Sequence, residues 1–236
     1  MEKTDIHCHI LPGVDDGAKS EEESLALVRM AAGQGFRKLI ATPHGSLQFP
    51  NEDPEKLKDL FQKLKEKIRK ELPEMELYLG QEIFYTEAVP EKLEKGKFLS
   101  LAGSEYVLIE FGPHTSWSEM YRGLRNVRLC GYVPILAHAE RYPVLRKQDY
   151  IEELLDSDIR VQLNYRSVGG GWTDETARWC KKQLKKGNIS FLGTDMHSTA
   201  HRPPVTEAAE SWMLRHLEED TIQELLWKNA EEILID

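Results

Sequence analysis

The stretch Asp5-Ile6-His7-Cys8-His9 begins an extended segment near the start of the chain. Successive side chains of a β-strand point to opposite faces, so His7 and His9 project to one side and Cys8 to the other. Both imidazoles can therefore reach one metal ion. A His-x-His pair is a weak signal alone, and its meaning depends on the residues farther along the chain.

The rest of the chain alternates short apolar segments with amphipathic ones. After the opening strand, strands are predicted at 38–41, 76–80, 106–109, 133–137, 161–164 and 190–193. Helices are predicted at 20–33, 54–71, 118–130, 151–155, 173–186, 205–218 and 221–228. About seven strands separated by helices are typical of βα units on a parallel sheet, and therefore of the α/β class.

Side chains that can bind metals follow these strands where they end. They are His7, His9, His44, Glu82, Glu110, His138, Asp195 and His197. In a βα barrel the carboxyl ends of the strands share one face, so we expect these eight side chains to converge.

Bulk properties restrict the function classes. The chain has 236 residues, a formal net charge of -9 and a sequence pI of about 5.5, with 40% hydrophobic residues. This length favours one domain over residues 1–236. The negative charge argues against nucleic-acid binding, which needs a basic face. No apolar run reaches the roughly 20 residues of a membrane-spanning helix, and no apolar leader precedes the first strand, so we expect no integral membrane segment and a cytoplasmic location.

The cysteines exclude one class of phosphatase. A cysteine phosphatase requires an arginine six residues after its nucleophile. The residues six positions after Cys8, Cys130 and Cys180 are Val14, Leu136 and Lys186. The scattered cysteines are expected to be reduced, mostly buried thiols.

Eight donors are too many for one ion and suit two or three divalent metals bridged by carboxylates. Imidazole and carboxylate ligands without thiolate fit manganese, iron or zinc. A water bridging such metals becomes hydroxide near neutral pH, which is a nucleophile for hydrolysis. Arg141 and Arg202 lie three and five residues past His138 and His197. Two guanidinium groups beside a metal cluster favour a phosphate dianion as substrate.

The motifs resemble those of the polymerase and histidinol phosphatase (PHP) superfamily. They are His7-Cys8-His9 with Asp16, Thr42-Pro43-His44, Gly80-Gln81-Glu82, Leu108-Ile109-Glu110-Phe111, Ala137-His138-Ala139-Glu140-Arg141-Tyr142 and Thr194-Asp195-Met196-His197. Their order and spacing most resemble the CpsB/YwqE-type bacterial protein tyrosine phosphatases, over about residues 4–235. Gly45 and Ala139 depart from the pattern, standing where relatives often have histidine and proline.

The resemblance implies a distorted (β/α)7 TIM-like barrel with three divalent metal ions, usually manganese, with iron or zinc as alternatives. The implied ligands are His7, His9, Glu82 and Asp195 for one metal, Glu82, Glu110 and His138 for a second, and Asp16, His44 and His197 for a third. Arg141 and Arg202 would hold the phosphate while a metal-bridging hydroxide attacks. The implied substrate is a phosphotyrosine protein, a bacterial tyrosine kinase of capsule or exopolysaccharide synthesis.

Other interpretations stay open from the residues. A small-molecule phosphomonoesterase such as histidinol-phosphate phosphatase uses the same chemistry, and a non-catalytic metal-binding barrel is a third interpretation. Trp172, in a glycine-rich loop, could stack on a phosphotyrosine ring or pack on the barrel rim. Asp15 could support a metal ligand or shape a turn. The oligomeric state is left open.

Overall fold

Parallel strands form a curled sheet that carries the polar strand ends on one face. The structure, a computed structural model, describes residues 2–234 of the chain. Its strands are β1 (Lys3–Cys8), β2 (Phe36–Ala41), β3 (His44–Gly45), β4 (Glu76–Leu79), β5 (Glu82–Phe84), β6 (Tyr106–Glu110), β7 (Val133–Leu136), β8 (Arg160–Asn164) and β9 (Phe191–Gly193). Every pairing between these strands is parallel.

Two strands of the curled sheet are each interrupted, one between β2 and β3 and one between β4 and β5. The interruptions divide the sheet into a three-stranded part with the order β1-β2-β4 and a six-stranded part with the order β3-β5-β6-β7-β8-β9. Pro43 lies between β2 and β3 and has no backbone N–H to donate. The chain bridges both interruptions, because Gly80 N–H donates to Ala41 O at 2.8 Å and Glu82 N–H to Pro43 O at 3.2 Å. Counting β2 with β3 and β4 with β5 gives the seven strand positions predicted.

The two ends of the sheet meet beside β1. Cys8 and Met196 form a parallel bridge, and His9 N–H donates to Met196 O at 2.9 Å. This contact joins the segment after β9 to β1, as a distorted seven-stranded, TIM-like barrel requires. The predicted fold class is confirmed, with a strongly curled sheet in place of a regular barrel.

Helices cover the outside of the sheet. They are α1 (Glu21–Gly33), α2 (Pro54–Glu71), α3 (Val89–Glu94), α4 (Trp117–Leu129), α5 (Tyr150–Leu155), α6 (Tyr165–Val168), α7 (Glu175–Lys185), α8 (Glu207–His216), α9 (Glu219–Gln223) and α10 (Asn229–Glu231), with a π-helical turn at Glu224–Lys228 and 3-10 turns at Leu101–Gly103, Ala139–Arg141 and Pro143–Arg146. The predicted helices from 20–33 to 205–218 are present within two residues at each end. Sequence reasoning missed α3 and α6, which are too short to show a full apolar period.

Apolar packing fixes the strands that carry the site. β1 is buried along its whole length. Ile6, Ile40, Leu108 and Ile135 belong to one buried cluster, to which the C-terminal segment adds Ala230. A larger cluster lies between the sheets and the helices. Cys8 and Cys180 are buried free thiols, whereas Cys130 is half-buried. Within residues 2–234, no helix combines the length and apolarity needed to cross a membrane.

Candidate metal centre

The polar strand ends converge around the carboxylate of Glu82, at the start of β5. Its Oε2 lies 3.2 Å from Nε2 of both His7 and His9 and 3.1 Å from Nδ1 of His44. Its Oε1 lies 2.7 Å from Nε2 of His138, after β7. One buried carboxylate therefore faces four imidazoles from the ends of three strand positions.

The possible ligands form three overlapping groups whose donor atoms lie within 4.8 Å of one another. The groups are His7, His9 and Asp195; His44, Glu82 and Glu110; and His9, Asp16, His44 and His197. These groups bring together every predicted ligand except His138, which contacts Glu82 directly and lies 3.5 Å from Glu110. How the ligands divide among ions, and how many ions they hold, stays a prediction.

The donor atoms fit divalent cations on hydrogen-bonding grounds. Three buried atoms of the centre have no hydrogen-bond partner. They are Oε2 of Glu82, Nε2 of His197 and Nδ1 of His138. A buried polar atom without a partner costs about 1–3 kcal/mol. Oε2 of Glu82 and Nε2 of His197 are lone-pair donors facing other lone-pair donors, which a bound cation would satisfy.

Outer hydrogen bonds orient two of the imidazoles. Nδ1 of His9 is 2.9 Å from Asp15 Oδ2, and Nδ1 of His7 is 3.2 Å from Gln162 Oε1. Donation from Nδ1 leaves Nε2 of each ring with a lone pair for a metal. Asp15 also accepts from Gly17 N–H at 2.9 Å, so it both supports a ligand and shapes the turn.

Gln162 was missed by sequence reasoning, although a polar residue between Val161 and Leu163 in an apolar strand was a usable signal. It is fully buried, and its Oε1 also accepts from His138 N–H at 2.7 Å. Its Nε2 donates to Asn164 Oδ1 at 2.9 Å. One amide thus couples the positions of His7, His138 and Asn164.

Electrostatics keep the acidic groups ionised. Burial disfavours the charge on His9, but the Asp15 and Glu82 carboxylates raise its pKa to about 10. Burial also opposes charge on Asp15, yet His9 lowers its pKa to about 2. Burial and the positive charge of His9 lower the pKa of His197 to about 3, so this ring is neutral at pH 7. The carboxylates and the neutral His197 ring already have the protonation states that a metal needs, whereas His9 would release its Nε2 proton when a metal binds.

Two site residues have unusual backbone conformations. His138 and Asp195 have φ values of 32° and 52°, which are uncommon for residues other than glycine. Gln162 holds the N–H of His138, and Asp195 N–H donates to His7 O at 2.9 Å. The surrounding hydrogen bonds therefore sustain local backbone strain that aims both side chains into the centre.

The predicted arginines lie at the edge of the metal centre. Arg141 and Arg202 each direct Nη2 at Oδ2 of Asp195, which also accepts from Asn164 Nδ2 at 2.9 Å. Together with Arg166, these residues line a cavity of about 110 Å³. The other lining residues are Asn164, Ser167, Thr194 and Asp195. Sequence reasoning missed Arg166, although an arginine two residues after the end of a predicted strand was a usable signal.

Trp172 is not brought into this cavity. Its side chain is 84% exposed, and it is absent from the residues that line the cavity. Its role in substrate binding therefore stays a prediction from the sequence alone.

Comparisons with known proteins agree with this geometry. A family model described as capsular polysaccharide synthesis, CpsB/CapC, matches residues 3–235. The chain is similar to tyrosine-protein phosphatase CpsB of Streptococcus pneumoniae, with 33% identity over 98% of both chains. It is also similar to tyrosine-protein phosphatase YwqE of Bacillus subtilis, with 31% identity over 98% of this chain and 91% of the relative.

A solved structure shows the same likeness in three dimensions. It comes from the crystal structures of YwqE from Bacillus subtilis and CpsB from Streptococcus pneumoniae, described as unique metal-dependent tyrosine phosphatases. The TM-score is 0.88 at 29% identity, over 98% of this chain and 94% of that one. The protein therefore belongs to the CpsB/CapC family of capsular polysaccharide synthesis.

Proposed function

We propose that this protein is a metal-dependent protein-tyrosine phosphatase. The observation that carries the proposal is that the two carboxylate oxygens of Asp195 face different groups. Its Oδ1 lies 3.5 Å from Nε2 of His7 and 3.6 Å from Nε2 of His9, whereas its Oδ2 receives both Arg141 and Arg202. A phosphate bound by the two arginines would lie directly against the metal ligands.

We propose that the centre holds three divalent ions, with manganese first and iron or zinc as alternatives. The overlapping donor groups around Glu82 support this number. The residues that would hold the ions are His7, His9, Asp16, His44, Glu82, Glu110, His138, Asp195 and His197. Bound there, the ions would supply Lewis-acid activation of the phosphoryl group and of a water nucleophile.

The arginines bind and orient the substrate. Arg141 and Arg202 are 41% and 35% exposed, so their guanidinium groups can reach phosphoryl oxygens from solvent. Planar guanidinium groups bind phosphate through paired hydrogen bonds and stabilise the charge that develops in the transition state. The leaving phenolate of tyrosine has a pKa of about 10 and departs without strong help from a general acid.

We propose a phosphotyrosyl segment of a bacterial tyrosine kinase of capsule or exopolysaccharide synthesis as the substrate, and a cytoplasmic location. Membership of a capsular polysaccharide synthesis family supports the pathway. The names of the relatives support phosphotyrosine as the residue from which the phosphoryl group is removed.

The test is turnover of a phosphotyrosyl peptide by protein loaded with manganese. We expect hydrolysis that a chelator abolishes and that added manganese restores, while thiol alkylation has no effect. Elemental analysis of the same protein should find bound metal. Activity that survives in the double variant His138→Ala, Asp195→Ala would contradict the assigned centre. Faster turnover of histidinol phosphate than of the peptide would favour the small-molecule alternative.

A further inference from the structure

Arg166 differs from the other two arginines of the cavity in its charge environment. It lies near the start of α6, is exposed, and donates from Nη1 to His201 O at 3.3 Å. Arg141 and Arg202 are both paired with Asp195, whereas Arg166 takes part in none of the ion pairs between residues 2 and 234. Its positive charge and most of its N–H donors are therefore available to a ligand.

A groove of about 460 Å³ adjoins the cavity that Arg141 and Arg202 line, because Arg166 lines both the groove and the cavity. The groove lies between α6 and the segment that leads into α8. Its wall is built mainly from small or apolar residues, among them Gly169, Ala200, Pro203, Val205 and Ala208. Among residues 2–234, no acidic side chain lines it. Continuity with the cavity and one unneutralised cation at the junction define what the groove can accept.

We propose that this groove binds the peptide that flanks the phosphotyrosine, with Arg166 pairing an acidic side chain next to the phosphorylated residue. The proposal rests on the proposed phosphatase function and names the sequence context that this site prefers. Small apolar walls can accommodate a peptide main chain and its short side chains. An exposed guanidinium at the entrance selects a carboxylate by charge and by its paired N–H geometry.

The test compares three substrates at saturating manganese. They are p-nitrophenyl phosphate, a phosphotyrosyl peptide with glutamate beside the phosphotyrosine, and the same peptide with glutamine there. We expect Arg166→Ala to lower kcat/KM about tenfold on the glutamate peptide, through loss of a hydrogen bond to a charged group. Because Arg166 also lines the cavity beside Arg141 and Arg202, the same variant should lower kcat/KM for the other two substrates by a smaller factor, equal for both. Arg166→Lys should recover part of the loss, and Arg215→Ala, an exposed arginine on α8, is the matched control.

A second variant tests the groove independently of charge. Ala208 is exposed on the groove wall, so Ala208→Leu should narrow the groove without disturbing the core. We expect it to raise KM for both peptides by about fivefold, with kcat and turnover of p-nitrophenyl phosphate unchanged.

The outcomes separate the two proposals. An equal loss on all three substrates in Arg166→Ala would place Arg166 at the phosphate and overturn the groove proposal. If Arg166→Ala lowers kcat/KM on none of the three substrates, Arg166 is an ordinary surface arginine and the groove proposal is also overturned. If the wild-type protein hydrolyses none of the three substrates, the proposed function fails as well.

Discussion

The substitution Asp15→Asn tests the outer support of the metal centre separately from its ligands. The Asp15 side chain is buried, and Oδ2 accepts from His9 Nδ1 at 2.9 Å and from the His44 N–H at 3.0 Å. Oδ1 accepts from the Gly17 N–H at 2.9 Å. Asparagine has one acceptor oxygen, so its amide nitrogen would face at least one of these donors.

The cost can be worked from the pKa of Asp15 in the metal-free protein. Although burial opposes its charge, pairing with His9 lowers this pKa from 3.8 to about 2. At about 1.36 kcal/mol per unit, this shift corresponds to about 2 kcal/mol of folding free energy. Because the folded pKa is the lower one, this stabilisation is complete above about pH 4 and disappears as the pH falls toward 2.

We therefore expect chelated Asp15→Asn to lose about 2 kcal/mol of unfolding free energy at pH 7, measured by urea denaturation. The difference from wild type should narrow below about pH 4. Metal affinity should fall about 10- to 100-fold, because His9 loses the group that orients it. Excess manganese should then restore much of the activity.

Asp16→Asn is the matched control. Asp16 is 55% exposed, and its Oδ1 lies 3.4 Å from His44 Nε2 and 3.5 Å from His197 Nε2. We expect this variant to bind metal more weakly while the chelated protein keeps wild-type stability. Wild-type stability and wild-type metal affinity in Asp15→Asn would refute the reasoning about Asp15.

The remaining predictions concern the substrate side and the thiol. Arg141→Ala or Arg202→Ala should each lower kcat/KM for p-nitrophenyl phosphate about a hundredfold, with metal content by elemental analysis unchanged; loss of metal would instead give the arginines a structural role. Cys8 is buried and its Sγ lies 3.3 Å from Ile40 O, which a serine hydroxyl can replace. Cys8→Ser should therefore keep kcat within about twofold of wild type, and a large loss would show that the thiol takes part in the chemistry. Trp172→Ala should leave KM for p-nitrophenyl phosphate unchanged, and a raised KM for a phosphotyrosyl peptide would support the stacking role predicted from the sequence.

Local patterns were enough to predict the strand ends. Alternation along β1 places His7 and His9 on one side, because successive strand side chains point to opposite faces. The seven strand positions and the longer helices were predicted from apolar periodicity. The βα order then implied that the ligand residues share one face. Gln162 and Arg166 were missed because their roles depend on partners distant in the sequence.

The sequence by itself determined which side chains reach the carboxyl face of the sheet. Only the tertiary structure decided which of them meet. His44 pairs with Glu82 in the β3–β5 register, and Glu110 pairs with Phe84, two residues beyond Glu82. These registers and the curl of the sheet bring four imidazoles to one carboxylate and both arginines to Asp195. Register and curl arise from packing across the whole sheet, so no local stretch of sequence specifies them.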